Sequence, residues 1–345
     1  MTKKLTKRML TMIFIIASIS SLAFVPWVLV KAWILPLPAT VQEQVDEAIN
    51  HGFKGMIVYV DKAGQAPEFY TGGWHNKEKK IAANPHALFK IASISKLYNA
   101  VAITKLVKSK RLSLDTSLAD YFPELVGRIE NSEKITLRQM VQHRSGIPNY
   151  TDYPGFWENP PNSYEETLKL VLDLPAYFEP DEDYGYSNTN YLLISALIGK
   201  VLGYSHNQYI KEEILSPLEL NNTFFSLNEV DIDNVMSGYH VGHPYDLKTD
   251  EQGMLATAQD VGVFLRALND GSVFGEGEQE IYASIYKYEH GGWVPGYQSL
   301  AEYHDDIDTV IVQFHNTTDA KLYMWNLSEI IINRIVKILK NKNNS

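Results

Sequence analysis

Ser93 stands three residues ahead of a lysine in the stretch Ser93-Ile94-Ser95-Lys96. On a helix that spacing puts both side chains on one face, one turn apart. A serine alcohol is a weak nucleophile until a base takes its proton. A lysine can be that base once burial or a neighbouring cation lowers its pKa. A helix starting at Ser93 adds a favourable field and free N–H groups for a developing oxyanion. The competing reading of Ser93 is a helix N-cap. A second pair, in Ser284-Ile285-Tyr286-Lys287, has the same spacing. Context separates the two. Leu97, Ala100, Val101, Thr104 and Val107 continue from Ser93 as one face of a buried helix over Ser93 to Lys108. Ser284 runs within a few residues into Tyr288, Glu289, His290 and two glycines, which cannot continue a buried helix.

The elements that must position Ser93 follow from periodicity. Helical spacing runs over Val41 to Asn50, and Gly55 to Val60 and Glu68 to Trp74 read as strands joined by a turn around Lys62-Ala63-Gly64. From about 110 to 225 the pattern is helix and loop, with helices expected over Ile135 to Gln142, Ser163 to Leu172, Thr189 to Leu202 and His206 to Ile214. A further helix is expected over Ala256 to Ala267. Gln298 to Tyr303 and Thr309 to His315 read as a strand pair turning at 304–308, and Leu322 to Leu339 as an amphipathic helix. Strands at both ends of the chain around a helical middle predict a mixed α/β (α+β) architecture in two lobes. Its site belongs at their junction.

Two further phrases fall in order after the serine–lysine pair. Tyr186-Ser187-Asn188 is the one tyrosine-x-asparagine triplet in the chain, and His290-Gly291-Gly292 continues as Trp293-Val294-Pro295-Gly296-Tyr297. Together with Phe89 to Lys96 they resemble the three motifs of the serine β-lactamases and penicillin-binding proteins, in the form of the class C β-lactamase branch. His240-Val241-Gly242 and Lys62-Ala63-Gly64 fit the bare third pattern but lack the strand and the Pro-Gly-Tyr continuation. The phrases Gln142 to Pro148 and Gly253 to Asp260 fit the same branch, so the resemblance covers roughly residues 41 to 340.

The resemblance implies an antiparallel sheet flanked by N- and C-terminal helices plus a mainly helical lobe. It implies that Ser93 attacks an acyl carbonyl, that Lys96 is the neighbouring base, and that Tyr186 is the second proton-transfer group. For that role the Tyr186 phenol is expected to have a lowered pKa, set by flanking cations. Asn188 is implied to bind the substrate amide and orient Lys96, with the N-cap of a helix near Thr189 as its alternative role. The N–H groups of Ser93 and Trp293 are implied as the oxyanion hole. Gly291 and Gly292 are expected to let a strand approach substrate. His143 reads as part of a structural loop and Asp260 as a structural acid beside a helix. The loop Tyr153 to Trp157 is expected either to wall the cleft or to pack on the surface. The third motif is most often headed by lysine; here it is His290, only partly charged at neutral pH. That shifts weight from substrates bearing a carboxylate towards esters and amides. No acid resembling the class A deacylation glutamate is identifiable.

The chain has 345 residues, 45% hydrophobic and 21% charged, as expected of a globular protein with enough chain for an anchor plus one large or two interleaved domains. The lack of cysteine excludes disulfides, thiolate catalysis and cysteine-ligated zinc. His240 and His243 are close in sequence but have no evident third ligand, so neither a metal nor another cofactor is called for. Residues 1–31 carry +5 and the remainder −15, out of a total of −10. A body that acidic is a poor binder of nucleic-acid phosphates.

Met9 to Val30 is a 22-residue run without a charge, about 33 Å long as a helix, matching a bilayer core of ~30 Å. Lys3, Lys4, Lys7 and Arg8 precede it, Trp27 and Trp33 sit near its far end, and the first acids come at Glu43. Residues 1–35 are therefore expected to be a membrane anchor, with the catalytic body, 36–345, outside the cytoplasm. The alternative is a signal peptide cleaved near Ser21-Leu22-Ala23, which also exports the body. The function expected is acyl-enzyme hydrolysis of peptidoglycan-derived or small peptide-like or ester substrates of the cell envelope. A carboxylesterase or D-amino-acid esterase of the same fold is the near alternative. A non-hydrolytic penicillin-binding envelope receptor is the alternative of another class.

Overall fold

The computed structural model describes residues 2–249 and 253–343. It opens with helix α1 (Thr2–Ser21), a 3-10 turn over Leu22–Phe24, and a second helix, α2 (Trp27–Ile34). The apolar run is thus two helices rather than the one expected over Met9 to Val30. Pro26 is the reason. A residue before proline is pushed out of the helical region, and Val25 is extended at φ −71°, ψ 129°. Lys7–Phe24 remains long and apolar enough to cross a membrane, and none of it is buried. Trp27 and Trp33 belong to α2 instead of the end of that helix. Helix α3 (Val41–Asn50) begins with a capping box formed by Thr40 and Glu43.

The main sheet has six strands: β1 (Gly55–Lys62), β2 (Glu68–Asn76), β3 (Ile81–Ala82), β8 (His290–Val294), β9 (Tyr297–His304) and β10 (Thr309–His315). Their spatial order is β3-β2-β1-β10-β9-β8, all antiparallel. The central pair joins the two ends of the chain, from Met56↔His315 to Lys62↔Thr309. Successive strand residues point to opposite faces. Ile57 and Tyr59 face one core with Val310, Val312 and Phe314, while Met56, Val58 and Val60 face a second with Ile311. Both faces are covered, so β1 reads as an unbroken apolar run.

On the second face lie α3 and the C-terminal helix α12 (Tyr323–Asn343). The buried Arg334 of α12 ties the chain after α2 to this layer, donating to the carbonyls of Leu35 and Pro36 (both 2.8 Å), to Gln44 (2.6 Å) and to Glu47 (3.2 Å). On the first face lie α4 (Ser95–Lys108), α10 (Ala258–Asp270) and α11 (Glu278–Ala283). Between α4 and α10 the chain builds a lobe of helix and turn: α5 (Leu118–Tyr121), α6 (Leu137–Val141), α7 (Tyr164–Lys169), α8 (Asn188–Leu202) and α9 (His206–Ile210), the last continued by a π turn. Helix α8 ends on Gly203 in the left-handed conformation, which closes it as a C-cap.

Short strands complete the frame. A ribbon in the order β4 (Phe89–Lys90), β7 (Leu255–Ala256), β5 (Thr223–Phe224) holds the segment ahead of Ser93. A second, parallel pair joins β6 (Tyr239–His240) to β11 (Thr317–Thr318). Asp260 accepts from Asn222 N (2.8 Å) and Thr223 Oγ1 (2.9 Å), and its N–H is capped by Thr257, so it is a structural acid as expected.

Candidate active site

Ser93 sits in a 3-10 turn, Ala92–Ile94, that leads into α4 at Ser95. The helix therefore starts two residues later than expected. No side-chain cap hydrogen bond forms at either turn, so Ser93 is not an N-cap. Ala92 has φ 48°, a left-handed conformation that is uphill for a residue with a Cβ. The turn is held in that shape from both sides. Ile91 N donates to Met254 O at 3.1 Å, and Ser299 Oγ of β9 donates to Ile91 O at 3.0 Å.

The Ser93 hydroxyl meets two side chains from different elements. Lys96 Nζ donates to Ser93 Oγ at 3.0 Å, and Tyr186 OH donates to the same oxygen at 2.7 Å. Lys96 Nζ also donates to Asn188 Oδ1 at 2.8 Å and lies 5.0 Å above the Tyr186 ring and 5.3 Å from that of Tyr191. Burial first, and then the charge of Lys287, push the Lys96 pKa down to about 7. Tyr186 goes the other way. Burial raises its pKa, a shift that the Ser93 hydrogen bond only partly opposes. This runs against the lowered pKa expected for the phenol: desolvation is the largest cause, and no cation opposes it. Tyr186 is a protonated donor at neutral pH.

Asn188 is the first residue of α8 and does not cap it. Its Nδ2 donates within the protein, to Asn149 Oδ1 (3.2 Å) and Thr151 Oγ1 (3.4 Å), and its backbone N–H donates to Asn149 Oδ1 (2.9 Å). The buried Asn149 fixes which way the Asn188 amide points. No pattern in the sequence marks it, although it directly follows Gln142 to Pro148.

Strand β8 runs beside the Ser93 turn. A Cβ on Gly292 would lie 2.3 Å from the Ile91 carbonyl oxygen and 2.5 Å from Ser299 Oγ, and one on Gly291 would strike Trp325 at 2.8 Å. The missing side chains thus let β8 approach the Ser93 turn and α12.

A model of the Beta-lactamase family matches residues 37–285. The chain belongs to that family. Among curated relatives it is 28% identical over 190 residues to Protein flp of Staphylococcus aureus (strain MW2), covering 53% of this chain and 38% of that protein. It is 26% identical over 205 residues to Penicillin-binding protein 4* of Bacillus subtilis (strain 168), covering 58% and 44%. The chain thus spans about two fifths of the length of the curated relatives it matches. Among solved structures it superposes on the D-amino acid amidase from Ochrobactrum anthropi SV3 with a TM-score of 0.77 at 20% identity, over 88% of this chain and 98% of that one. It superposes on the penicillin binding protein from Bacillus halodurans with a TM-score of 0.72 at 19% identity, over 86% and 98%. The fold is that of the β-lactamases and DD-peptidases.

His290, at the head of the third motif of this β-lactamase family chain, is buried. Its Nε2 is 3.0 Å from Tyr286 OH. Burial, then Lys287 and Lys96, hold its pKa well below the usual histidine range, so it is neutral. Lys287 comes from the serine–lysine pair set aside above; it is the nearby cation that sequence reasoning missed. Ser284 of that pair is exposed, its hydroxyl donates to the Ile281 carbonyl at 2.7 Å, and its own carbonyl accepts from Gln142.

Trp293, half-buried at the far end of the motif, meets Trp157 edge-on with ring centroids 5.3 Å apart, and His240 at 6.3 Å. The aromatic loop Tyr153 to Trp157 thus reaches β8. His143 accepts from Ser187 N at 3.1 Å through Nδ1 and lies 4.4 Å from the Tyr186 ring, with a pKa pushed down to about 3, chiefly by burial. It packs behind Tyr186, in keeping with a structural loop. Among the described residues no three His, Asp or Glu side chains are grouped to hold a metal ion.

Proposed function

We propose that this protein is a serine hydrolase that forms an acyl-enzyme at Ser93. The observation that carries the reading is the pair of hydrogen bonds onto Ser93 Oγ, from Lys96 and from Tyr186, with Lys96 poised to be neutral near pH 7. Neutral Lys96 takes the Ser93 proton as Oγ bonds to the acyl carbon of an amide or ester. The N–H groups of Ser93 and Trp293 hold the oxyanion. As the tetrahedral intermediate collapses, the bond to the leaving group breaks, Tyr186 gives that group its proton, and Lys96 returns one to Tyr186. Water then attacks the acyl-enzyme, and the same groups carry its proton back to Ser93. Asn188 holds the Lys96 ammonium or amine in line. Neutral His290 leaves the third motif without its own charge, which favours neutral amides and esters over ligands anchored by a carboxylate; the O. anthropi neighbour is named as a D-amino acid amidase.

The body, 36–345, is read as extracytoplasmic behind a single-pass anchor formed by α1. The test is intact-mass spectrometry after exposure to a fluorophosphonate and, separately, to penicillin. Fluorophosphonate is expected to add once, at Ser93; Ser93→Ala loses the adduct and Ser284→Ala keeps it. A penicillin adduct as well would favour peptidoglycan-derived substrates. No adduct with either reagent would leave a binding-only receptor.

A further inference from the structure

We propose that the outer face of α2 is a lipid-docking surface that lays the catalytic body down on the bilayer, with the active-site cleft on the far side of the sheet. This rests on the reading of α1 as a membrane anchor and adds to it a contact of the body itself.

Helix α2 has two unlike faces. Leu29 and Ala32 turn inward onto the core shared with α3 and α12. Trp27, Val28, Ile34 and Leu35 turn outward, and Trp33 beside them is 75% exposed. The one charge in the helix is Lys31, long enough to reach past an apolar face to water or headgroups. On a soluble protein two exposed tryptophans amid exposed aliphatics are an unpartnered patch.

What covers the patch follows from the chain. The apolar span ends at Phe24, itself 86% exposed, three residues before Trp27. The bend between them is short and braced: Trp27 Nε1 donates to Leu22 O at 2.9 Å and Trp27 N to Val25 O at 2.8 Å. Wherever α1 leaves the hydrocarbon, α2 starts in the headgroup zone, the layer that tryptophan side chains prefer. That zone is only about 5–8 Å deep on each side. An upright α2 would lift Trp33 about 9 Å above Trp27. Lying flat keeps the whole outer stripe in the interface, as amphipathic surface helices do.

Because α2 is packed on the body and Arg334 grips the carbonyls just after it, the body turns with α2. The layer next to lipid is then α2, α3 and α12. Ile91, Ile94 and Leu97, the neighbours of Ser93 and Lys96, lie across the sheet on the other core. At roughly 10 Å per layer, Ser93 stands about 20 Å from the headgroups, on the far side of the sheet. The contact is apolar, because a body at −15 gains nothing from anionic lipid.

The cysteine-free chain allows a direct test. Single variants Ile15→Cys, Trp33→Cys, Ile34→Cys and Leu174→Cys are made in the full-length protein, labelled with an environment-sensitive fluorophore and reconstituted in phosphatidylcholine vesicles. Leu174 is exposed on the helical lobe. Quenching by nitroxide-bearing lipid is compared with quenching by aqueous iodide. Labels at 15, 33 and 34 are expected to be quenched several-fold more by lipid than the label at 174, equally at low and high salt. Lipid quenching at 15 with iodide quenching at 33 and 34 would overturn the docking and leave the anchor standing. Iodide quenching at 15, 33 and 34 alike would remove both.

Discussion

Gly292 and Ile91 are packed backbone to backbone, with no room for a methyl group between them: a Cβ at 292 would sit 2.3 Å from the Ile91 carbonyl oxygen. Ile91 precedes the left-handed Ala92 and then Ser93. A side chain at 292 must therefore push β8 away from the turn that presents the nucleophile. Gly292→Ala is expected to slow fluorophosphonate labelling of Ser93 by at least ~10-fold, since small misplacements of reacting groups are expensive. Gly199→Ala, in the interior of α8 with its nearest new contact at 3.6 Å, should leave labelling unchanged and raise stability by up to ~1 kcal/mol. Equal labelling rates in the two variants would sink the packing argument.

The Lys96 pKa of about 7 sets a pH profile. Only the neutral amine can take the Ser93 proton, so the labelling rate should rise with pH through about 7 and then level. The charge on Lys287 lowers that pKa, and the buried His143 and His290 nearby are neutral. Lys287→Met should therefore move the rise to higher pH while leaving the plateau rate in place. Stability follows the same group. The folded pKa is about 7 against 10.5 for an exposed lysine, so the unfolded chain holds the extra proton between those values and stability rises with pH across that window. Lys96→Met should accordingly raise Tm most below pH 7 and progressively less above it.

Asn149 touches neither Ser93 nor Lys96, yet it receives two hydrogen bonds from Asn188. Asn149→Ala should let the Asn188 amide turn and weaken its 2.8 Å bond to Lys96. The expected result is a fall in kcat of about 10-fold or more with KM little changed. A loss of Tm with kcat intact would reduce Asn149 to a packing residue.

His290→Lys puts a cation where the neutral imidazole now faces Tyr286. Acylation by penicillin, which carries a carboxylate, should gain on acylation by a neutral ester, and the ratio of the two rates is the readout. A ratio that stays constant would mean that the third motif does not face the acyl donor's anion.

The long periodic elements were legible from the sequence. Helix α3 and strands β1, β2 and β10 fall within two residues of their expected bounds, because alternation and helical spacing are local signals. The ordered motifs found Ser93, Lys96, Tyr186 and Asn188, which the fold joins by hydrogen bonds across 93 residues of chain. The break at Pro26 was readable from the restriction on Val25, but the uncharged run masked it. Other features depend on tertiary context. Two-residue strands such as β4 and β7 exist only because they find each other, at Phe89↔Ala256. The raised pKa of Tyr186 comes from desolvation that no spacing encodes. Asn149 and Lys287 act through space on residues far along the chain.

The central pairing of β1 with β10 also dictates when this protein can fold. Residues 55–62 wait for residues 309–315 before the middle of the sheet exists, and loops that long close slowly. With α1 held in the bilayer as proposed, most of the body would have to cross the membrane before the sheet could zip shut. Until then Ser93 has no β8 beside it, so the nucleophile is assembled only once the last strands of the sheet are in place.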